Sequence, residues 1–142
     1  GNPENHQKMT DKRRNKLVTL AAELPLPEIY REEDGEILLL GWGSTYGPVR
    51  EACDRLRDKG LCASATHIRH LHPLPSGLNE LLARFEHIFV VEMNDSGVYG
   101  YGQLATILRA ASCNSGIHSL CKTDGLAYRV SEIVDGVDSF LA

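Results

Sequence analysis

Ile37-Leu38-Leu39-Leu40-Gly41-Trp42-Gly43-Ser44-Thr45 is the stretch on which the fold turns. Its apolar run is too short for a buried helix of ordinary length and ends in glycine turn chemistry, so it reads as a fully buried strand. Ile88-Phe89-Val90-Val91 followed by Glu92-Met93-Asn94 repeats the pattern. A helix signal follows each run. Gly47-Pro48 precedes Val49, Ala52, Cys53 and Leu56 on one helical face, closed by Lys59-Gly60, and Gly102-Gln103 precedes Leu104, Ile107, Leu108 and Ala111. Strand and helix in alternation are the grammar of a parallel α/β sheet, with polar groups gathered at the strands' carboxyl ends.

Outward from these two units the chain continues the same theme. Asn2-Pro3-Glu4 is a helix start, and residues 7–16 are mostly polar, with Lys8, Lys12, Arg13, Arg14 and Lys16. Leu17, Leu20, Ala21 and Leu24 then recur at i, i+3, i+4 and i+7, which predicts docking on something apolar before Pro25 and Pro27 end the helix. The basic residues read as a solvated face, because Asp11 and Glu23 share the helix. Residues 1–26 are thus a helical connector and residues 27–142 the domain proper. Residues 28–31 form a short strand, turned at Glu33-Asp34-Gly35 so that it runs antiparallel to residues 36–42. Residues 62–71, 87–93 and 117–122 are further strands. Leu78, Leu81, Leu82 and Phe85 mark a helix capped by Ser76, and Val130, Ile133, Val134, Val137, Phe140 and Leu141 line a last one. The expected architecture is α/β, three layers in the sense α/β/α, with the first strand an antiparallel edge.

Composition narrows the function. The 142 residues suit one domain. A net charge of −4 argues against a general nucleic-acid binder, and 6% aromatic residues argue against a base-stacking platform. The four cysteines, Cys53, Cys62, Cys113 and Cys121, contain no C-x-x-C and read as buried thiols. There is no signal peptide and no apolar stretch of bilayer-spanning length, so the expected partners include no membrane and the expected location is the cytoplasm.

The motifs are informative mainly by what they lack. Gly41-x-Gly43 begins like the dinucleotide fingerprint, but Tyr46 stands where the third glycine belongs, and Arg69, His70 and His72 occupy the region of the ribose-binding acid. The glycines then serve a tight turn and close helix packing, or a generic anion site at residues 43–47. Ser44 has no glycine two residues before it, so a nucleophile elbow is absent. His67 and His70 would face opposite sides of one strand, which makes a three-histidine metal site with His72 awkward. Glu92, Asn94 and Gln103 gather at a strand end and a helix start, where they either recognise a polar ligand or partner, or tie the protein's own loops together. Tyr99 and Tyr101 lie among glycines in a loop suited to protein contact.

Taken in order, Gly41-Trp42-Gly43-Ser44-Thr45, His70-Leu71-His72-Pro73-Leu74-Pro75, Glu92-Met93-Asn94 and Gly102-Gln103-Leu104 resemble the carboxyl-terminal domain of the alpha subunit of 2-oxoacid:ferredoxin oxidoreductases, the 2-oxoglutarate type in particular. Asn2-Pro3-Glu4-Asn5-His6 with Lys12-Arg13-Arg14 is similar to the connector before that domain. Lys122-x-x-Gly125 and Val130-Ser131-Glu132-Ile133 are similar to its closing segment. The resemblance implies a transketolase C-terminal-domain-like fold, with a mixed five-stranded sheet in the order 1-3-2-4-5 and strand 1 antiparallel. It also implies a thiamine-diphosphate- and magnesium-dependent complex with iron–sulfur clusters, which oxidatively decarboxylates a 2-oxoacid to an acyl-coenzyme A and reduces ferredoxin. Those cofactors are expected in other domains and in a thiamine-binding beta subunit, with none held here and no catalytic residue or metal ligand in this chain. Gly43, Ser44, Thr45, His72, Glu92, Asn94, Tyr99, Tyr101 and Gln103 are the expected interface or ligand-contact residues. Asp95-Ser96-Gly97-Val98-Tyr99-Gly100-Tyr101 departs from the family pattern, in which the Gly-Gln-Leu segment follows almost directly. The leading Gly1 and the start within a connector fit a fragment of a longer subunit. The alternative is a free-standing α/β module binding a small anion or nucleotide at residues 43–47 and 92–103, and a dimerisation domain is a third reading.

Overall fold

The computed structural model describes all of residues 1–142. Its elements are α1 (Pro3–Glu23), β1 (Ile29–Tyr30), β2 (Gly35–Trp42), a 3₁₀ turn (Gly43–Thr45), α2 (Tyr46–Asp58), β3 (Ala63–Ile68), α3 (Leu78–Leu82), β4 (Phe85–Glu92), α4 (Gln103–Ser112), β5 (Ile117–Cys121) and α5 (Val130–Leu141). The sheet order is β1-β3-β2-β4-β5. β2, β3, β4 and β5 are parallel, and β1 pairs antiparallel with β3 through Ile29 opposite Thr66 and Tyr30 opposite Ala65. The tight turn after β1 therefore fixes its direction but not its neighbour, because β3 lies between it and β2.

The parity of the strand residues builds the two halves of the core. Ile37, Leu39, Phe89 and Val91 face one side, with Val49, Ala52, Cys53 and Leu56 of α2 and Ile133, Val134 and Val137 of α5. Leu38, Leu40, Ile88 and Val90 face the other, with Leu78, Leu81 and Leu82 of α3 and Leu104, Ala105 and Leu108 of α4. A strand buried on both faces has no polar position to alternate with, which is why residues 37–40 are uniformly apolar.

Several local expectations change. α3 is only five residues long, and Phe85 opens β4 instead of closing a helical stripe. Gly77 at φ 83°, not Ser76, precedes α3, while the Ser76 amide bonds the Ala21 carbonyl at 3.0 Å. On α4 the buried stripe includes Ala105, and Ile107 is exposed. His70 lies beyond the end of β3, so it does not share that strand with His67. Among the thiols, Cys53 is buried and Cys121 half-buried, but Cys62 and Cys113 are exposed. Cys62 precedes β3, and Cys113 ends α4 at φ 53°, where side chains leave the core. α1 starts as expected, with the Glu4 amide donating to Asn2 Oδ1 at 3.0 Å, and its stripe is only partly covered, with Leu17, Ala21 and Leu24 half-buried and Leu20 exposed.

A histidine pair bears on stability. His118 Nε2 lies 3.1 Å from His87 Nδ1, and its ring stacks on Phe140 with centroids 3.9 Å apart. Burial first, then the charges of His87 and Arg109, hold His118 below the ordinary imidazole range. A folded state that keeps imidazole neutral binds fewer protons than the unfolded chain, so its contribution is complete above the unfolded value of about 6.5 and declines as pH falls through it. Urea midpoints at neutral and mildly acid pH should show this loss, and His118→Gln should flatten it.

Candidate functional site

β2 is the point from which the connections part. The chain leaves it through α2 on one face to reach β3, and the loop after β4 leads to α4 on the opposite face. The carboxyl ends of β2 and β4 thus form a topological switch point, where an open α/β sheet places its crevice. Trp42, Gly43 and Ser44 come from one loop, and Glu92, Met93 and Asn94 from the other.

The crevice is occupied by the chain itself. Glu92 is fully buried. Its Oε1 accepts from the Leu104 amide at 2.7 Å, from Trp42 Nε1 at 3.2 Å and from Asn94 Nδ2 at 3.2 Å, and its Oε2 accepts from the Ala105 amide at 3.1 Å. Gly102 at the helix cap has no side chain to serve these amides, so a side chain from β4 takes that role and places a carboxylate at the positive end of α4. A Cβ on Gly102 would lie 2.3 Å from Glu92 Oε2 and 2.9 Å from Cys121 Sγ, which explains glycine here on close approach alone. Two further side chains brace the strand ends through three hydrogen bonds. Ser44 Oγ donates to Met93 Sδ at 3.1 Å, and Tyr128 Oη lies 3.1 Å from the Glu92 carbonyl oxygen and 2.7 Å from that of Leu120.

The structure brings together only part of the residue set expected from sequence. Thr45 is buried and donates to the Trp42 carbonyl at 3.0 Å, close against Gly41, whose added Cβ would meet Thr45 Oγ1 at 2.5 Å. Gly43, at φ 66°, makes the turn that a side chain would strain. Asn94 joins Glu92, while Gln103 is exposed at the start of α4. His72 is exposed before a cis bond to Pro73, in the separate loop after β3. Tyr101 is half-buried beneath Arg109, whose guanidinium stands 4.4 Å from the ring centroid. Tyr99 and Val98 are 88% and 94% exposed, and with the exposed Met93 they leave the loop between β4 and α4 with three bare apolar side chains. Sequence reading missed Trp42 as the partner of Glu92. The available signal was a lone tryptophan between two glycines, at the end of a strand adjacent to the one ending in Glu92.

Residues 35–133 match the family described as pyruvate:ferredoxin oxidoreductase core domain II. The chain belongs to this family. As a core domain II it is 34% identical over 134 residues to 2-oxoglutarate oxidoreductase subunit KorA of Mycobacterium tuberculosis, covering 92% of this chain and 19% of that protein. It is 33% identical over 141 residues to 2-oxoacid:ferredoxin oxidoreductase 1, subunit alpha, of Aeropyrum pernix, covering 95% and 21%. Its structure matches the 2-oxoglutarate:ferredoxin oxidoreductase of Magnetococcus marinus, solved with 2-oxoglutarate, coenzyme A and succinyl-CoA bound. The TM-score is 0.82 at 29% identity, over 99% of this chain and 24% of that one. A split-gene transketolase, at TM-score 0.61 and 16% identity over 79% of this chain and 40% of the other, shares the fold. This core domain II spans about a fifth of the length of the curated relatives it matches. The ordered-motif resemblance and the sheet order it implied are both borne out.

The cofactors associated with that resemblance do not fit the switch-point crevice, and the side chains of this domain do not group as metal ligands. The crevice carboxylate already accepts four hydrogen bonds, and a pyrophosphate there would meet like charge. No three His, Cys, Asp or Glu side chains come close enough to share a metal ion, and the cysteines occupy separate parts of the fold. No helix is long and apolar enough to cross a membrane.

Proposed function

We propose that this core domain II is a non-catalytic assembly domain of a 2-oxoacid:ferredoxin oxidoreductase alpha subunit, of the 2-oxoglutarate type and acting in the cytoplasm. The observation that carries the reading is Glu92, which fills the switch-point crevice with the chain's own carboxylate and leaves no free amide donor at the first turn's Leu104 and Ala105. Thiamine diphosphate, magnesium and iron–sulfur clusters would reside in the remaining domains of the alpha subunit and in a thiamine-binding beta subunit. Ferredoxin would be reached only through the full complex. Residues 1–26 serve as the connector, and the loop carrying Met93, Val98 and Tyr99 supplies an apolar contact to the neighbouring chain.

This loop gives the test. Co-expressed with the remaining alpha-subunit domains and the beta subunit, the chain should co-purify with them, and Val98→Asp combined with Tyr99→Ala should weaken the association by about tenfold or more. The melting point of the isolated chain should hardly move, since neither side chain is buried. Undiminished association of the double variant would remove the loop from the interface.

A further inference from the structure

We propose that the cleft bounded by β1, the carboxyl end of β3 and the first turns of α2 binds a small organic phosphate, anchored by the Arg50 guanidinium. This goes beyond the assembly role and uses different residues from the Glu92 crevice. The cleft holds about 540 Å³, a volume in the range of small-molecule sites. It opens where the β1–β3 ladder stops. Only two residue pairs join these strands, so residues 25–28 and 67–70 diverge on either side of the space, and Tyr46, Val49 and Arg50 close it from α2.

Its charge runs against that of the molecule. Arg50 and Arg69 border it with Glu28 as the one acid, in a chain whose net charge is −4, while burial and the charge of Arg69 hold the His67 imidazole below its ordinary range and so neutral. Arg50 is held in place before any ligand arrives. Its guanidinium carbon lies 3.9 Å from the Tyr30 ring centroid and 5.3 Å from that of Tyr46, and it donates to Tyr46 Oη. Tyr30 is fixed in turn by its hydroxyl at 3.0 Å from both carboxylate oxygens of Asp54. A planar guanidinium has five N–H donors, so most of the fork remains for two phosphate oxygens. His67 stands in the cleft wall, edge-on to Tyr46 with ring centroids 5.3 Å apart, while its buried Nδ1, which has no hydrogen-bond partner, lies out of reach of the cleft's solvent. The cleft's apolar wall, with Leu26, Ile29, Val49 and Ile68, suits the organic body of the ligand.

Phenyl phosphate is the probe, titrated into the 142-residue chain by calorimetry and followed at the His67 imidazole by nuclear magnetic resonance, with benzoate and inorganic phosphate as comparison arms. The expected result is saturable binding of phenyl phosphate, tighter than either comparison, with a shift of the His67 resonances. Arg50→Gln should weaken it by about tenfold, the size of one charge-assisted pair, and Arg50→Lys by less. Should Arg50→Gln fail to fold by circular dichroism, exposed Arg69→Gln gives the same reading. The proposal is overturned by three results: no saturable binding, benzoate binding as tightly as phenyl phosphate, or affinity unchanged in the folded arginine variants.

Discussion

Glu92→Ala should destabilise the protein by about 3 kcal/mol, because it strands several buried donors at once. The Leu104 and Ala105 amides lose their acceptor, and Trp42 Nε1 and Asn94 Nδ2 lose theirs. Glu92→Gln keeps the shape and one acceptor oxygen, but turns an N–H₂ toward groups that are themselves donors, so about half that loss is expected. Chemical denaturation of the three proteins would show the graded order. The loss should be accompanied by faster amide hydrogen exchange at Leu104 and Ala105, the groups that Glu92 covers. Wild-type stability in Glu92→Ala would mean that the carboxylate does not hold the seam between the two central strands.

Phe89→Ala should be costlier, about 3–5 kcal/mol, and lower the melting point by about 10 °C or more. Phe89 is fully buried on β4, and its ring lies 5.2 Å from His118 and 5.5 Å from Phe140, centroid to centroid. It thereby joins β4, β5 and the last turns of α5. Thermal and urea unfolding would measure the loss. Phe89→Leu, which leaves a smaller void, should recover much of it. A drop below about 1 kcal/mol in Phe89→Ala would show that α5 collapses onto the sheet without strain.

The comparison of sequence with structure is clearest at the sheet. Residues 37–40 and 88–91 announced themselves because burial on both faces leaves only one kind of residue acceptable at every position. The helices of residues 49–56 and 133–137 were legible because one face of each meets the sheet. α3 was not, since five residues are too few for a period to assert itself, and Phe85 followed its spacing by coincidence before entering β4. The site was half legible. Glu92 and Asn94 stood out as polar residues directly after an apolar strand, but their partners are backbone amides of α4 and a tryptophan fifty residues earlier. Such partners carry no local signature, because the contact depends on which two strands lie side by side. The cleft beside Arg50 was invisible for the same reason. Tyr46 and Arg50 are four apart on one helix face, yet Tyr30 reaches them from the antiparallel edge strand β1 and His67 from β3 beside it.

The proposed assembly role leaves chemistry to other domains and gives this one a packed docking surface. Its most direct test is a calorimetric titration of the 142-residue chain with thiamine diphosphate and magnesium, the same sample being assayed with a 2-oxoacid, coenzyme A and an electron acceptor. No magnesium-dependent saturable heat and no turnover are predicted, and any magnesium-independent heat should be lost in Arg50→Gln. Stoichiometric, magnesium-dependent thiamine diphosphate binding, or acyl-coenzyme A formed by this chain alone, would contradict it.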